Sequence, residues 1–111
     1  MELNELERFA LEMLFKDSAL FYRAIQENLA TATVIEREFT GVGFFSTIQF
    51  LEPLPDLLSS PQRDWNFLYP GMSHGGSFMG WRESDNTIGL EGVSHIGAWP
   101  TETDVAKFSK A

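Results

Sequence analysis

Cysteine is absent from the sequence of 111 residues. Disulfide bonds, thiolate nucleophiles and cysteine-ligated zinc are therefore excluded. The His-Glu-x-x-His pattern of zinc hydrolases is absent too. His74, His95 and Glu91 have the side chains of metal ligands, but no regular spacing ties them together. We therefore expect no metal and no cofactor.

A phosphate-binding loop is also missing. Such a loop follows a strand and opens a helix, so that its backbone N–H groups and the helix dipole face the anion. The glycines of Gly41-Val42-Gly43 and Gly75-Gly76 lie where turns are expected. Composition does not exclude a Ser-His-Asp triad, but Ser46 lies in a predicted strand rather than on a nucleophile elbow. A catalytic role is therefore the weaker expectation.

Positive charge is scarce. The chain has 8 Lys and Arg against 16 Asp and Glu, which gives a net charge of −8. Proteins that bind nucleic acid or anionic membrane surfaces need clustered cations, and here the cations are scattered singly. We expect neither partner. A basic protein is the complementary partner, steered by the acidic field; the alternative is that the acidity only maintains solubility.

Long apolar runs are missing as well. No stretch approaches the roughly 20 residues needed to cross a bilayer, and the acidic N-terminus is unlike a signal peptide. We expect a cytoplasmic protein. The length predicts a single domain over residues 1–111. A hydrophobic content of 43% with ten Phe excludes a disordered chain.

Two amphipathic helices are predicted, over residues 4–15 and about 18–30. In the first, Asn4 and Glu7 have the spacing of a capping box. Leu11 and Phe15 lie off the main apolar stripe. They are covered by another element of the same chain or, as the alternative, by a second copy, which leaves a homodimer open.

Alternating residues predict a strand over 33–39, a hairpin turn at Gly41 and Gly43, and a return strand over 44–52. A second hairpin is predicted from 77–82 and 87–93, with residues 71–76 as a turn region. The predicted fold class is α+β: two N-terminal helices packed on an antiparallel β-meander of about four strands. A short terminal helix capped by Thr101 or Thr103 closes the chain.

Residues 53–73 form a long proline-rich loop in this interpretation. Four of the five prolines lie there, which argues against a central strand. We expect a helical turn near 56–59, an extended stretch near 65–69, and closure of the loop over one side of the sheet. The candidate partner-binding residues are Trp65, Phe67, Tyr69 and His74.

A candidate pocket is indicated by charged residues on predicted strands. Arg37 shares a strand face with Ile35 and Phe39, and Glu91 also has apolar neighbours. A charge that faces a packed layer needs a partner. Arg37 and Glu91 either pair with each other or line a small pocket beneath the loop. The candidate pocket residues are Arg37, Glu91, His95, Trp81 and Trp99.

The turn Thr40-Gly41-Val42-Gly43-Phe44-Phe45, with Leu90-Glu91-Gly92 and Trp99-Pro100, resembles a family of small uncharacterised bacterial α+β proteins. Those proteins also place a helical segment before such a turn and end near a Leu-Glu-Gly. The resemblance implies a bacterial cytosolic origin. It carries no established activity and no catalytic residue.

Together these features favour a non-enzymatic protein-binding module, of which an immunity or antitoxin-like inhibitor is one kind. Small size, acidity and surplus aromatic side chains suit such a module. The alternative, from another class, is a small-molecule binding or catalytic domain. It would use a pocket around Arg37, Glu91 and His95.

Overall fold

The structure is a computed structural model that describes residues 1–57 and 61–111. Two helices precede a sheet of six strands, all of them antiparallel to their neighbours. The elements are α1 (Glu5–Phe15), α2 (Ala19–Asn28), β1 (Thr33–Phe39), β2 (Gly43–Gln49), β3 (Gln62–Tyr69), β4 (Met72–Ser84), β5 (Thr87–Ser94) and β6 (Ser109–Lys110). The predicted α+β class with two helices is confirmed, whereas the expected number of strands was too low.

The sheet is not a meander along the chain. Its strand order is β1-β2-β5-β4-β3-β6, so the first hairpin joins the rest of the sheet through β2 and β5. Ser46 lies opposite Leu90 in that central pair. The first hairpin does not pair with β3 or β4, and β3 lies next to the last strand at the far edge of the sheet. The predicted order was wrong because local patterns specify hairpins but not which hairpins meet.

The segment predicted as a covering loop contributes a strand instead. β3 pairs with β4, with Trp65 opposite Phe78 and Phe67 opposite Gly76. The extended stretch predicted at 65–69 is confirmed as part of β3, which lies within the sheet rather than over it. Asp56 and Leu57 have no helical structure, and the rest of the helical turn predicted at 56–59 lies outside the described residues.

Residues 71–76 are not a turn region, because β4 already begins at Met72. Gly71, with a φ of 88°, lies in the tight turn between β3 and β4, and Gly75 within β4 also has a positive φ, of 63°. A Cβ atom at Gly76 would overlap the ring of Phe67. Gly76 is therefore needed for close packing between β3 and β4. The sequence prediction had assigned this glycine to a turn.

The predicted terminal helix is a single 3₁₀ turn, Val105–Lys107, which leads into β6. Asp104, rather than Thr101 or Thr103, caps it: the carboxylate accepts a hydrogen bond of 3.0 Å from Ala106 N. No helix among the described residues is both long and apolar enough to cross a membrane.

Helix α1 lies on one face of the sheet and α2 packs against α1, and both contribute side chains to the core. Leu14 and Phe15 of α1 lie so close to Gly80 of β4 that a Cβ atom there would crowd both. Phe15 also packs on Phe21 of α2, with ring centroids 5.0 Å apart. Leu11 and Phe15 are 1% and 0% exposed. They are therefore covered within the chain and provide no support for a homodimer.

A buried carboxylate anchors α1 to the first hairpin. Glu7 is 1% exposed, and the predicted capping box with Asn4 is confirmed. Arg37 donates to both carboxylate oxygens, from Nη2 at 2.6 Å and Nε at 3.0 Å. Ser46 Oγ donates at 2.6 Å and Asn4 N at 2.8 Å. The charge is thus satisfied by four donors, as a buried carboxylate requires.

A β-bulge sets the direction of Arg37. The register of β1 against β2 shifts between Val34 and Glu36, and the shift leaves Arg37 opposite Ser46 on the helix face. Ile35 is 54% exposed, so it does not share the environment of Arg37 as the alternation predicted. Hydrogen bonds to Glu7 raise the pKa of Arg37, against a smaller opposing effect of burial.

We expect Glu7→Ala to lower the free energy of unfolding by about 3 kcal/mol, because it leaves the guanidinium of Arg37 and the hydroxyl of Ser46 without their acceptor. Urea denaturation measures the change. The control is Glu5→Ala, an exposed first-turn residue of the same helix, which should cost less than about 0.5 kcal/mol. Equal losses for the two variants would show that Glu7 does not anchor the helix.

Candidate functional site

The face of the sheet opposite the helices has its own set of side chains. Gly80 faces α1, and side chains alternate along a strand, so Met79 and Trp81 project to the other side. We call this side the open face. Its central residues are Phe45, Thr47, Ser77, Met79, Trp81, Gly89, Glu91 and Val93, and its flanking residues on β1 and β3 are Glu36, Glu38, Gln62, Asp64 and Asn66.

One row of the open face alternates carboxylates with apolar side chains. From β3 to β1 it runs Asp64, Met79, Glu91, Phe45 and Glu38, each opposite the next across neighbouring strands. Glu91 lies in the middle of the sheet, half-buried between Met79 and Phe45. The row therefore places a carboxylate among apolar neighbours and two more at its ends.

The next row holds the largest aromatic side chain of this face. Trp81 lies opposite Gly89, followed by Thr47 and Glu36. A Cβ atom at Gly89 would overlap the indole ring of Trp81, so the ring lies over the glycine. The centroid of the Phe45 ring is 6.0 Å from that of Trp81. Glycine thus lets an indole from β4 reach across β5 to β2.

Charge on the open face has one sign. Glu36, Glu38, Asp64 and Glu91 lie there. The arginines of the strands lie opposite helix-face residues of the neighbouring strands, so they are on the helix face. Those arginines are Arg37, Arg63 and Arg82. Within the described residues, Glu91 has neither a cation nor a hydrogen-bond donor as partner. A half-buried carboxylate without a cation is a site that a positive group would stabilise.

A polar cluster lies at one end of the open face. His95 Nε2 is 2.7 Å from Ser77 Oγ, and His95 Nδ1 is 3.0 Å from the backbone oxygen of His74. Because a carbonyl only accepts, His95 Nδ1 donates the hydrogen bond to His74. Ser77 Oγ also lies 2.5 Å from Asn66 Oδ1. The cluster ties β3, β4 and the segment after β5 together.

The stretch Gly71-Met72-Ser73-His74-Gly75 has the letters of Gly-x-Ser-x-Gly, a match that the sequence interpretation missed. A nucleophile elbow is a turn from a strand into a helix. Ser73 instead lies near the start of β4, after a hairpin turn from β3, and its hydroxyl contacts His74 Nδ1 at 3.0 Å. The structural context of an elbow is not met, so no nucleophile is assigned.

The structure divides the candidate pocket between the two faces of the sheet. Trp81 and Glu91 are diagonal neighbours on the open face, and His95 lies at its end. Arg37 pairs with Glu7 on the helix face rather than with Glu91. Trp99 packs edge-on against Phe44 in the core, with centroids 5.7 Å apart. Only three of the candidates therefore share one face.

The candidate partner-binding residues lie mostly in the core. Phe67 is 1% exposed, and Trp65 stacks on Phe78 with centroids 6.0 Å apart. Tyr69 packs against Phe108, and its hydroxyl accepts from Asp104 N at 3.0 Å. Of these four candidates only His74 is exposed. Phe67 is buried, and Trp65 and Tyr69 are partly buried, because their segment is a strand of the sheet.

A separate cleft lies at the end of the molecule, with a volume of about 510 Å³. It is bounded by the start of α1, the turn between β1 and β2, and residues 99–105. Leu6, Phe39 and Trp99 contribute its apolar walls, and Asn4 and Glu5 its polar side. Volumes of about 300–1,000 Å³ are typical of small-molecule sites.

Among the described residues, no group of three or more His, Asp or Glu side chains is placed to hold a metal ion. Comparison of the chain with protein-family models, curated proteins and solved structures gave no match. The resemblance to small bacterial proteins and the cytoplasmic location therefore stay predictions.

Sequence interpretation found Trp81 and Glu91 but missed Phe45, Glu38 and Asp64 as members of the same surface. Part of the evidence was in the sequence, because alternation along β2 places Phe45 on the opposite face from Phe44 and Ser46. Assigning these residues to one surface also required the pairing of β2 with β5 and of β3 with β4. Local patterns do not provide that pairing.

We expect Gly89→Ala to cost about 1–3 kcal/mol of unfolding free energy, because the new methyl displaces the Trp81 ring. Urea denaturation gives the cost, and near-ultraviolet circular dichroism reports the ring. In a Trp81→Leu background the same change should cost less than about 0.5 kcal/mol. An unchanged cost in that background would mean that the ring does not lie on Gly89.

Proposed function

We propose that this protein is a non-enzymatic protein-binding module whose open face docks a basic protein. The observation that carries the proposal is an aromatic pair, Trp81 and Phe45, set among four carboxylates. No Lys or Arg of the described strands shares that face. Accessible aromatic side chains rimmed by charged residues are typical of protein interaction sites.

The two kinds of residue have different tasks in such a surface. Half-buried aromatic side chains provide anchor area at low cost in conformational entropy. Carboxylates around them raise the rate of encounter with a cationic partner and disfavour acidic ones. The net charge of −8 extends the same steering field over the whole molecule.

An inhibitor of the immunity or antitoxin kind is one form of this proposal. Such a protein covers a functional surface of its target, and a target that acts on nucleic acid is basic there. The charge, small size and broad open face of this chain suit that task. A bacterial cytosolic setting, which the family resemblance implies, belongs to the same proposal.

Neutralising the open face tests the proposal. The variant carries Glu36→Gln, Glu38→Gln, Asp64→Asn and Glu91→Gln. We expect association with the basic partner captured from native lysate to slow by about tenfold at low salt, because the steering field is lost locally. Partners are identified by mass spectrometry, and rates are then measured by surface plasmon resonance with the purified pair.

The matched control changes four acidic residues away from the open face: Asp17→Asn, Glu27→Gln, Glu52→Gln and Glu102→Gln. Net charge rises equally in both variants, so only the location of the charges differs. The control should keep most of the wild-type rate, and the difference should shrink at high salt. Equal loss in the two variants would show that the open face is not the docking surface.

A second candidate function is small-molecule binding in the end cleft. The observation that favours it is the cleft of about 510 Å³ with Trp99 and Leu6 in its walls. This site replaces the pocket expected around Arg37, Glu91 and His95, whose members lie on different faces. It suits an apolar ligand, because the carboxylate of Glu5 at its rim disfavours anions.

Fragment screening by NMR tests the cleft. Flat apolar fragments should shift the indole N–H signal of Trp99 and leave that of Trp81 unmoved. We expect Leu6→Gln to weaken the best fragment by about tenfold, because it replaces an apolar wall. Leu20→Gln, an exposed residue on α2, is the control and should change nothing. A screen in which no fragment moves Trp99 would remove this function.

A further inference from the structure

We infer that the open face binds an arginine side chain of its partner, with the guanidinium stacked on Trp81 and paired with Glu91. The inference rests on the proposed function and adds the chemical group that is recognised. Three observations support it: the position of the indole ring, the unpaired carboxylate beside it, and the absence of a cation from the described part of this face.

The indole of Trp81 is positioned by the backbone beneath it. Because a Cβ at Gly89 would overlap the ring, the indole lies over bare backbone. The ring of Phe45 is its neighbour on the same face, with centroids 6.0 Å apart and planes inclined by 35°. The ring is half-buried, so part of its surface remains accessible. Tryptophan is the aromatic side chain with the strongest attraction for a cation.

Glu91 is the natural counter-ion for a cation on that ring. Trp81 lies opposite Gly89 on β5, and Glu91 follows two positions later on the same face. Diagonal neighbours of this kind have Cα atoms about 7–8 Å apart, within reach of long side chains. A guanidinium on the ring can therefore direct N–H donors to this carboxylate. Its half-buried position makes the pair stronger than one between fully exposed side chains.

Arginine fits this site better than lysine. Its guanidinium is planar, weakly hydrated and able to stack on an aromatic ring while it donates in the plane to a carboxylate. The ammonium of lysine is compact and strongly hydrated, so it loses more on leaving water. The site thus predicts a preference for arginine over lysine, although both carry one positive charge. Steering by net charge alone does not produce such a preference.

The test titrates the intact protein with capped oligoarginine, oligolysine and oligocitrulline peptides of equal length. Binding is measured by calorimetry and by the indole N–H signals in NMR, with the Trp81 signal assigned from Trp81→Phe. We expect oligoarginine to bind about tenfold more tightly than oligolysine, and the neutral citrulline peptide not to bind. The Trp81 signal should shift while those of Trp65 and Trp99, which pack on helix-face side chains away from this site, stay in place.

Two variants separate the ring from the charge. Trp81→Leu should weaken oligoarginine about tenfold and remove its advantage over oligolysine. Glu91→Gln should weaken it while leaving the Trp81 shift at saturation. The exposed control Glu83→Gln, near the end of β4, should match the wild type. Because the NMR shift is read in the wild-type protein, the test does not depend on the stability of any variant.

The outcomes distinguish the inference from the function beneath it. If oligoarginine and oligolysine bind alike and Trp81→Leu changes neither, the arginine site is overturned, while docking of a basic partner through the carboxylates stands. If the wild-type protein binds no cationic peptide, the arginine site is also overturned. The proposed function is then judged by its own charge variants and their partner.

Discussion

The buried carboxylate of Glu7 constrains the whole arrangement. A charge in a helix–sheet interface is tolerated only when every oxygen has donors, and the donors of Glu7 come from the N-cap of α1, from β1 and from β2. Sliding or rotating the helix would leave the carboxylate and Arg37 unpaired inside the protein. The pair therefore sets the position of α1 on the sheet, and hydrophobic packing against Gly80 and its neighbours follows that position. Specificity of placement is the use for which a buried ion pair is best suited.

The same constraint separates charge across the thickness of the sheet. Arg37 turns to the helix face to meet Glu7, and Arg63 and Arg82 lie on that face by strand alternation. Glu36 and Glu38 of β1 and Glu91 of β5 lie on the open face. No cation of the described strands shares that face with them. A sheet with its cations on one face and its carboxylates on the other has a directional field, although composition reports only a net charge. The proposed function follows from this separation rather than from acidity as such.

Sequence alone predicted the local elements well and the connections between them poorly. The helices, the capping box of Asn4 and Glu7, and the first hairpin follow from periodicity and cap chemistry, which act within a few residues. The position of β3 depends on pairing with β4, and prolines at its borders made it resemble a loop. Trp81 and Glu91 were found because a charge among apolar neighbours needs a partner. Arg37 was matched with Glu91 instead of Glu7 because Glu7 already had a role as a helix cap, and one carboxylate performs both tasks.

Glycine opposite an aromatic residue recurs on both faces of this sheet. Gly76 lies opposite Phe67, Gly92 opposite Phe44 and Gly89 opposite Trp81. In each pair a Cβ on the glycine would overlap the neighbouring ring, so the ring covers backbone that has no side chain of its own. On the helix face Phe44 and Phe67 are then buried in the core, to 3% and 1% exposure. On the open face no described helix covers Trp81. A ring held in place by the sheet, with an unpaired carboxylate beside it, is already ordered before a partner arrives. Little further entropy is then lost when a cation binds.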